Sequence, residues 1–455
     1  MNDNRVISAT AFAILIVLAV FLPDAGISLF ASAVISALTI FLINKNTDEP
    51  APVIRVFLIA LVLRLIVGIV LHYLDLRDFF GADANTYDSI ADSLTHIWHG
   101  ESSTFSRYEI YRATKVTGAG WGMNYGVAGI YWIFGRNILL VQTICGTIGA
   151  ATVPAIYFCA RRIYNNHRVA IISAYFAALF PAMVIWSSQL LKDGLIIFLL
   201  VISMTLVMRL REKLSIIEVI LLGLCLFGIL SLRFYIFYMV AVAVVGSFFI
   251  GISGSTQSTL ARITAVIILG IGLTYFGVIR IASADLDTTT DLKNVQRSRL
   301  DLARSADSGF GSDADVSTPT GALTTLPLGL TYLFLAPFPW ESRTLRQAIT
   351  IPEELVWWGM IILIISGLIY TIRNRFREAL PILIFTLMLT IAYSIFQGNV
   401  GTAYRQRTQI QVFLFIFAAV GYELIQERRR DRKGLAQRKR QSEMRWPQHR
   451  ERQLN

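Results

Sequence analysis

The stretch DLRDFFGADANTYDSIAD, residues 75–92, carries five aspartates directly after an apolar run. Lipid cannot solvate carboxylates, so a cluster at the end of a membrane-length run sits at the interface or in a polar cavity, and acidic groups there point to function. Any one of these aspartates alone reads as a solvated loop residue. The ordered set Gly81, Asp83, Tyr87 reads as a site, with Asp83 its central carboxylate. A carboxylate so placed can accept a proton from a hydroxyl. Asp75 and Asp78 belong to the approach to the membrane, and Asp88 and Asp92 to the helix that follows.

A second set of reactive side chains lies in short hairpins. WSSQLLKDGL holds Lys192 and Asp193, LRFYIFY holds Arg233, and GNVGTAYRQR holds Arg405 and Arg407. Each cation alone reads as a helix-end residue whose stem lies along apolar surface. Together they suggest a held anion such as a phosphate, for which Arg is the better bidentate partner and Lys a point charge. His96 and His99 in THIWH have a spacing that metal ligands share, but on an amphipathic helix they read as solvated.

These residues are positioned by membrane helices. The chain has 455 residues, 55% hydrophobic and 16% charged, with a mean hydropathy of +0.58. Repeated apolar runs of about 20 residues suit a hydrocarbon core ~30 Å thick. The expected fold is therefore an all-α polytopic membrane protein of about 12 transmembrane helices. Spans are expected near 5–23, 26–44, 52–74, 137–160, 168–187, 190–209, 215–232, 234–253, 258–282, 351–373, 378–397 and 405–425. The first lacks a small-residue cleavage site and reads as a retained helix.

Orientation follows from Lys and Arg. Arg161, Arg162 and Arg168, then Arg209, Arg211 and Lys213, then Arg373, Arg375 and Arg377 fall on one side, as does the tail from Arg428. The positive-inside rule makes that side cytoplasmic, with both termini inside. The hairpin cations Lys192, Arg233, Arg405 and Arg407 then lie on the other face, where Lys and Arg are normally scarce.

The resulting organisation is N-terminal helices (1–74), a first extracytoplasmic loop (75–136), a transmembrane core (137–282), a second extracytoplasmic segment (283–350), C-terminal helices (351–425) and a basic cytoplasmic tail (426–455). In the first loop, Tyr87, Ile90, Ala91 and Leu94 share one face of a helix from about Asn85. Asp83 would sit at its N-terminal edge, where capping free N–H groups is the bland explanation. GAGWGMNYGVAGIYWIFG suits an interfacial or re-entrant helix. In the second segment Val295 to Ala303 form a short amphipathic helix, followed by a loop. Pro327, Pro337 and Pro339 then argue for a re-entrant or surface element.

The net charge of +11 is concentrated in the tail. Beside a final span it reads as topogenic and as a contact for anionic lipid, not for nucleic acid. Cys145, Cys159 and Cys225 lie inside expected spans, so neither a disulfide framework nor a Cys-based metal site is expected. No Walker-type glycine loop occurs, which weakens a pump reading.

GADANTYDSIADSL resembles the first-loop acidic motif of the C superfamily of membrane glycosyltransferases, which use sugars on polyprenyl-phosphate carriers. The resemblance continues from NYGVAGIYWIFGRN through the basic turn ARRIYNNHR to FPAMVIWSSQLLKDGL. That stretch is similar to the core of protein mannosyltransferase-like and lipid A aminoarabinose transferase-like enzymes. It covers about residues 52–210. The resemblance implies an outward-facing active site under the first loop, with Asp83 at its centre. Many relatives have a consecutive Asp-Glu pair; here Asp83 is followed by Ala84, which leaves base and acceptor-orienting roles both open and weakens any metal site.

The expected activity is transfer of a sugar from a polyprenyl-phosphate carrier to a glycan, lipid or protein acceptor on the extracytoplasmic side, with inversion, in a bacterial inner membrane. Asp83 is the candidate catalytic group. Tyr87, Lys192, Asp193, Arg233, Arg405 and Arg407 are the candidate substrate-binding residues, with no metal or cofactor assigned. The nearest rival is an O-antigen-type polymerase or ligase. A secondary transporter would carry internal repeats and charged or broken helices at mid-membrane, and a structural role in an envelope assembly is the third alternative.

Overall fold

The computed structural model describes residues 23–101, 106–116, 120–250, 256–275, 278–279, 282, 291–304, 308–342 and 344–451. Among them there is no β-strand, and the chain is an all-α integral membrane protein. The expected span at 5–23 lies, apart from Pro23, outside the described residues.

Of the later expected spans, 168–187 falls on two helices and the others each overlap one, with 234–253 and 258–282 ending partly outside the described residues. Two helices, α1 (Pro23–Asn46) and α2 (Pro50–Tyr73), lead into a first-loop group of α3 (Arg77–Gly81), α4 (Asp83–Trp98), α5 (Arg107–Thr114) and α6 (Trp121–Phe134). The core then runs through α7 (Ile138–Tyr164), α8 (His167–Leu179), α9 (Pro181–Ser187), α10 (Lys192–Leu210), α11 (Ile216–Leu232), α12 (Phe234–Phe249) and α13 (Thr256–Tyr275). The C-terminal part comprises α14 (Leu292–Arg304), α15 (Pro319–Leu335), α16 (Leu345–Asn374), α17 (Phe376–Phe396) and α18 (Val400–Glu451). Among the described residues seven helices, fewer than the twelve expected spans, are long and apolar enough to cross a membrane: α1, α2, α7, α10, α16, α17 and α18 as far as Lys433. The pair α8 and α9, bent by 58°, makes an eighth if counted as one span. The apolar helices α11 and α12, and the Val266–Tyr275 part of α13, are shorter.

Helix α7 is apolar around its whole circumference and correspondingly buried on nearly every face. It packs on α1, α2, α8 and α10. Two polar contacts cross this packing: Ser32 with Thr147 at 2.8 Å, and Gln142 with the Gly68 carbonyl at 2.6 Å. Helix α18 crosses α16 at a second close contact, where Gly367 faces the Phe417 carbonyl and Gly421 faces that of Leu363. Small residues let backbones approach in lipid, where no hydrophobic force drives helices together.

The bend between α8 and α9 frees carbonyls that lipid cannot satisfy. Arg64, fully buried in α2, supplies the donors. Its guanidinium reaches the carbonyls of Ala177 at 3.2 Å and Ala178 at 3.3 Å, and Ser187 Oγ at 2.8 Å.

The helices have chemically distinct ends. At one end lie the basic turns, tied together by Arg162 with Glu212, Arg168 with Glu423 at 3.5 Å, and Arg211 on the Arg377 carbonyl at 2.5 Å. At the opposite end α2 stops, α10, α16 and α18 begin, and the first-loop helices gather.

In the 283–350 segment the amphipathic helix forms as α14, but its Arg299 is buried, donating to the carbonyls of Gln397 and, at 3.2 Å, Ile395. The expected re-entrant element is one helix, α15, which runs through Pro327 and packs on α17. Pro337 and Pro339 lie beyond its end.

Candidate functional site

Helix α4 begins at Asp83, two residues before the expected start, and Ala84, Tyr87, Asp88, Ala91 and Leu94 form its buried face. The capping explanation for Asp83 is not realised: the helix start has no side-chain cap. Instead Asp83 Oδ2 accepts from Arg405 Nη1 at 2.8 Å, while the rest of its side chain stays 57% exposed. The later aspartates of the motif do separate work. Asp88 and Asp92 bind Arg136, and Asp88 also accepts from the Tyr131 hydroxyl at 2.7 Å. Asp78 accepts from Asn85 at 2.6 Å, and Asp75 from Arg77 at 3.1 Å.

Asp193, in the first turn of α10, is fully buried and sits between two cations. Its Oδ2 takes Arg405 Nε at 2.8 Å and Nη2 at 2.5 Å, and its Oδ1 takes Arg233 Nη2 at 3.3 Å. Arg233 is the single residue between α11 and α12, so the break between two apolar helices fixes its position. Lys192 lies beside this pair, with Nζ 5.7 Å from the centre of the Tyr87 ring. Burial pushes the Tyr87 phenol well above its usual range, with the Asp83 and Asp193 carboxylates adding to the effect. Tyr87 therefore stays a neutral hydroxyl. Gly120, at φ +91°, lets the chain pass close to Tyr87 Oη and Lys192 Nζ.

These groups meet at a cavity of about 810 Å³. Six charged side chains line it: Lys192, Arg233, Arg346 and Arg405 against Asp83 and Glu353. Trp186 forms part of the wall, and the Arg405 guanidinium lies 5.4 Å over its ring. Arg346 reaches across the rim to the Phe79 ring at 5.2 Å and the Asp78 carbonyl at 3.3 Å. The excess of cations suits an anionic ligand, and the exposed Asp83 oxygen suits a hydroxyl.

Of the residues expected from sequence, Asp83, Lys192, Arg233 and Arg405 line the cavity, with Tyr87 and Asp193 directly behind them. Arg407 is not brought there. It is fully buried, paired with Glu354, bonded to the Phe334 and Ala336 carbonyls at 3.2 Å, and packed over Trp357 and Tyr404. Arg407 thus ties α18 to α16 and to the end of α15. Sequence reasoning missed Trp186, Arg346, Glu353 and Tyr404. The acidic pair Glu353 and Glu354 was the signal, since ionisable groups in a membrane helix mark sites by default.

His96 is held by Glu101 at 2.6 Å, and His99 lies 2.7 Å from the Thr95 carbonyl. Among the described residues no three His, Cys, Asp or Glu side chains come together as a metal would require. The three cysteines are buried and free. Compared with models of known protein families the chain matches none, and a search of curated proteins finds no match.

Proposed function

We propose that this protein is a membrane glycosyltransferase that moves a sugar from a polyprenyl-phosphate carrier to an acceptor on the extracytoplasmic side of a bacterial inner membrane. In this reading the end with the basic turns and both termini faces the cytoplasm, by the positive-inside rule. The observation that carries the reading is the junction of a partly exposed carboxylate, Asp83, with Lys192, Arg233 and Arg405 around one cavity at the other end.

The chemistry needs two kinds of group, and both are present. An acceptor hydroxyl oxygen attacks the anomeric carbon as the bond from that carbon to the phosphate oxygen breaks. The bonding pair leaves with the phosphate, and the transition state is oxocarbenium-like. Asp83 takes the hydroxyl proton, and the cations stabilise charge growing on the departing phosphate. One displacement inverts the anomeric centre. No nucleotide is required, because the carrier brings activated sugar to the outer leaflet.

The test is Asp83→Asn in purified protein reconstituted with a lipid-linked sugar. Transfer is expected to fall by at least about 100-fold with expression and fold unchanged. Unchanged transfer sinks the base assignment. An active Asp83→Asn protein beside inactive Lys192, Arg233 and Arg405 variants supports a polymerase or ligase instead.

A further inference from the structure

Of the two acids on the cavity wall, Asp83 is paired with a cation, whereas among the described residues Glu353 is not. It is only 7% exposed, yet it lines the cavity. Its Oε2 accepts from the Tyr404 hydroxyl at 2.7 Å. The Ala182 N–H faces the carboxylate, but Oε1 has no hydrogen-bond partner. Its neighbour Glu354 turns the other way and is consumed by Arg407. Of the cavity's cations, Arg405 is held by Asp83 and Asp193 and Arg233 by Asp193, with Arg233 Nη1 left without a hydrogen-bond partner. Anchoring α9 through Ala182 would explain a carboxylate here, but it leaves Oε1 unaccounted for. Buried acceptors are paired in folded proteins, by protein, water or ligand.

The wall therefore carries both signs of charge. Lys192, Arg233 and Arg405 attract phosphate, whereas Glu353 repels it and can only accept hydrogen bonds if ionised. A sugar phosphate has this polarity, with phosphate at one end and hydroxyl donors at the other. We propose that Glu353 Oε1 accepts a hydrogen bond from one hydroxyl of the transferred sugar and thereby selects which sugar is bound. The proposal rests on the donor reading above. In Glu353→Gln the amide oxygen keeps the Tyr404 bond and turns an NH₂ donor into the cavity, reversing the polarity the hydroxyl meets.

The experiment measures binding of polyprenyl-phosphate hexoses and pentoses to nanodisc-embedded protein by tryptophan fluorescence, with analogues that each lack one hydroxyl. Wild-type protein should bind one deoxy analogue about 10- to 100-fold more weakly than its parent donor. Glu353→Gln should weaken the parent donor by a similar factor and lose that discrimination. Two results overturn the proposal: every deoxy analogue binding wild type within about 2-fold of its parent, which leaves Oε1 to water, or Glu353→Gln keeping the discrimination. The first arm needs no variant, so a misfolded Glu353→Gln protein cannot shield the proposal. Turnover is followed in parallel. Binding without transfer sinks the transferase reading and leaves the Glu353 assignment standing, whereas no binding of any sugar donor sinks both.

Discussion

Arg405 grips Asp193 through two nitrogens, Nη2 at 2.5 Å and Nε at 2.8 Å from the same carboxylate oxygen. The remaining nitrogen, Nη1, reaches Asp83. One side chain from α18 thus sets the position of carboxylates from α10 and α4. The exposed carboxylate is held in place by a buried one it never touches.

Asp193→Ala should be severely destabilising, because it leaves Arg233 as a buried cation without its carboxylate and Arg405 with Asp83 alone. A loss of about 3–5 kcal/mol is expected, read as a large drop in thermal midpoint in detergent. Asp83→Asn removes only a half-exposed partner and should stay within about 1 kcal/mol of wild type. Equal losses in the two variants would contradict the division of labour.

Gly120→Ala tests the approach of the first loop to the cations. Its φ of +91° is unfavourable for a side chain, and the new Cβ would lie 3.1 Å from Lys192 Nζ and 3.2 Å from Tyr87 Oη. Backbone strain of about 1–2 kcal/mol is expected. Donor binding should weaken about 10-fold as the ammonium is displaced, a shift of roughly 1.4 kcal/mol. A titration of the variant with lipid-linked sugar checks this.

Glu354→Gln should cost about 3–5 kcal/mol, since Arg407 then lies buried and unpaired. Replacing both partners together, as Arg407→Met with Glu354→Leu, should recover most of the loss. Thermal midpoints of the single and double variants decide it. A double variant no better than Glu354→Gln would show that the carbonyl bonds of Arg407, and not its charge pair, hold α15 to α18.

Gly367→Ala and Gly421→Ala should each force α16 away from α18, because the added carbon runs into a backbone carbonyl that cannot rotate aside. Overpacking of this kind costs about 1–3 kcal/mol. The expected signature is reduced monodisperse yield on size exclusion, more severe in the double variant. Normal behaviour of both would show that the crossing is loose.

Much of the site was legible because its cations broke a rule of membrane sequences. Lys192, Arg233 and Arg405 lie at apolar helix ends away from the basic turns, and the fold brings all three to one cavity with Asp83. Arg407 was drawn in by proximity, although residues two apart on a helix face different ways. That geometry sends Arg405 to the cavity and Arg407 to Glu354. The acids of α16 were passed over because the apolar run behind them dominated the reading of that segment. Pro327 read as a break, yet packing on α17 overrides the local preference and α15 runs through it. Asp88 and Asp92 were assigned to the helix, but their clasp on Arg136 depends on how α4 and α6 meet, which no local pattern reveals.

Arg64 carries a consequence for biogenesis. Two of the three carbonyls that receive its guanidinium are translated 113 and 114 residues after it. An isolated α2 would therefore enter lipid with an arginine at its middle bonded only to its own helix, a burden of about 2.5–3.5 kcal/mol on insertion scales. Beyond the Ala60 carbonyl of its own helix, the charge finds its acceptors only when the broken pair α8 and α9 arrives beside it. Membrane integration of the second helix is thus completed by the core, and the N-terminal and central parts of the chain mature as one unit.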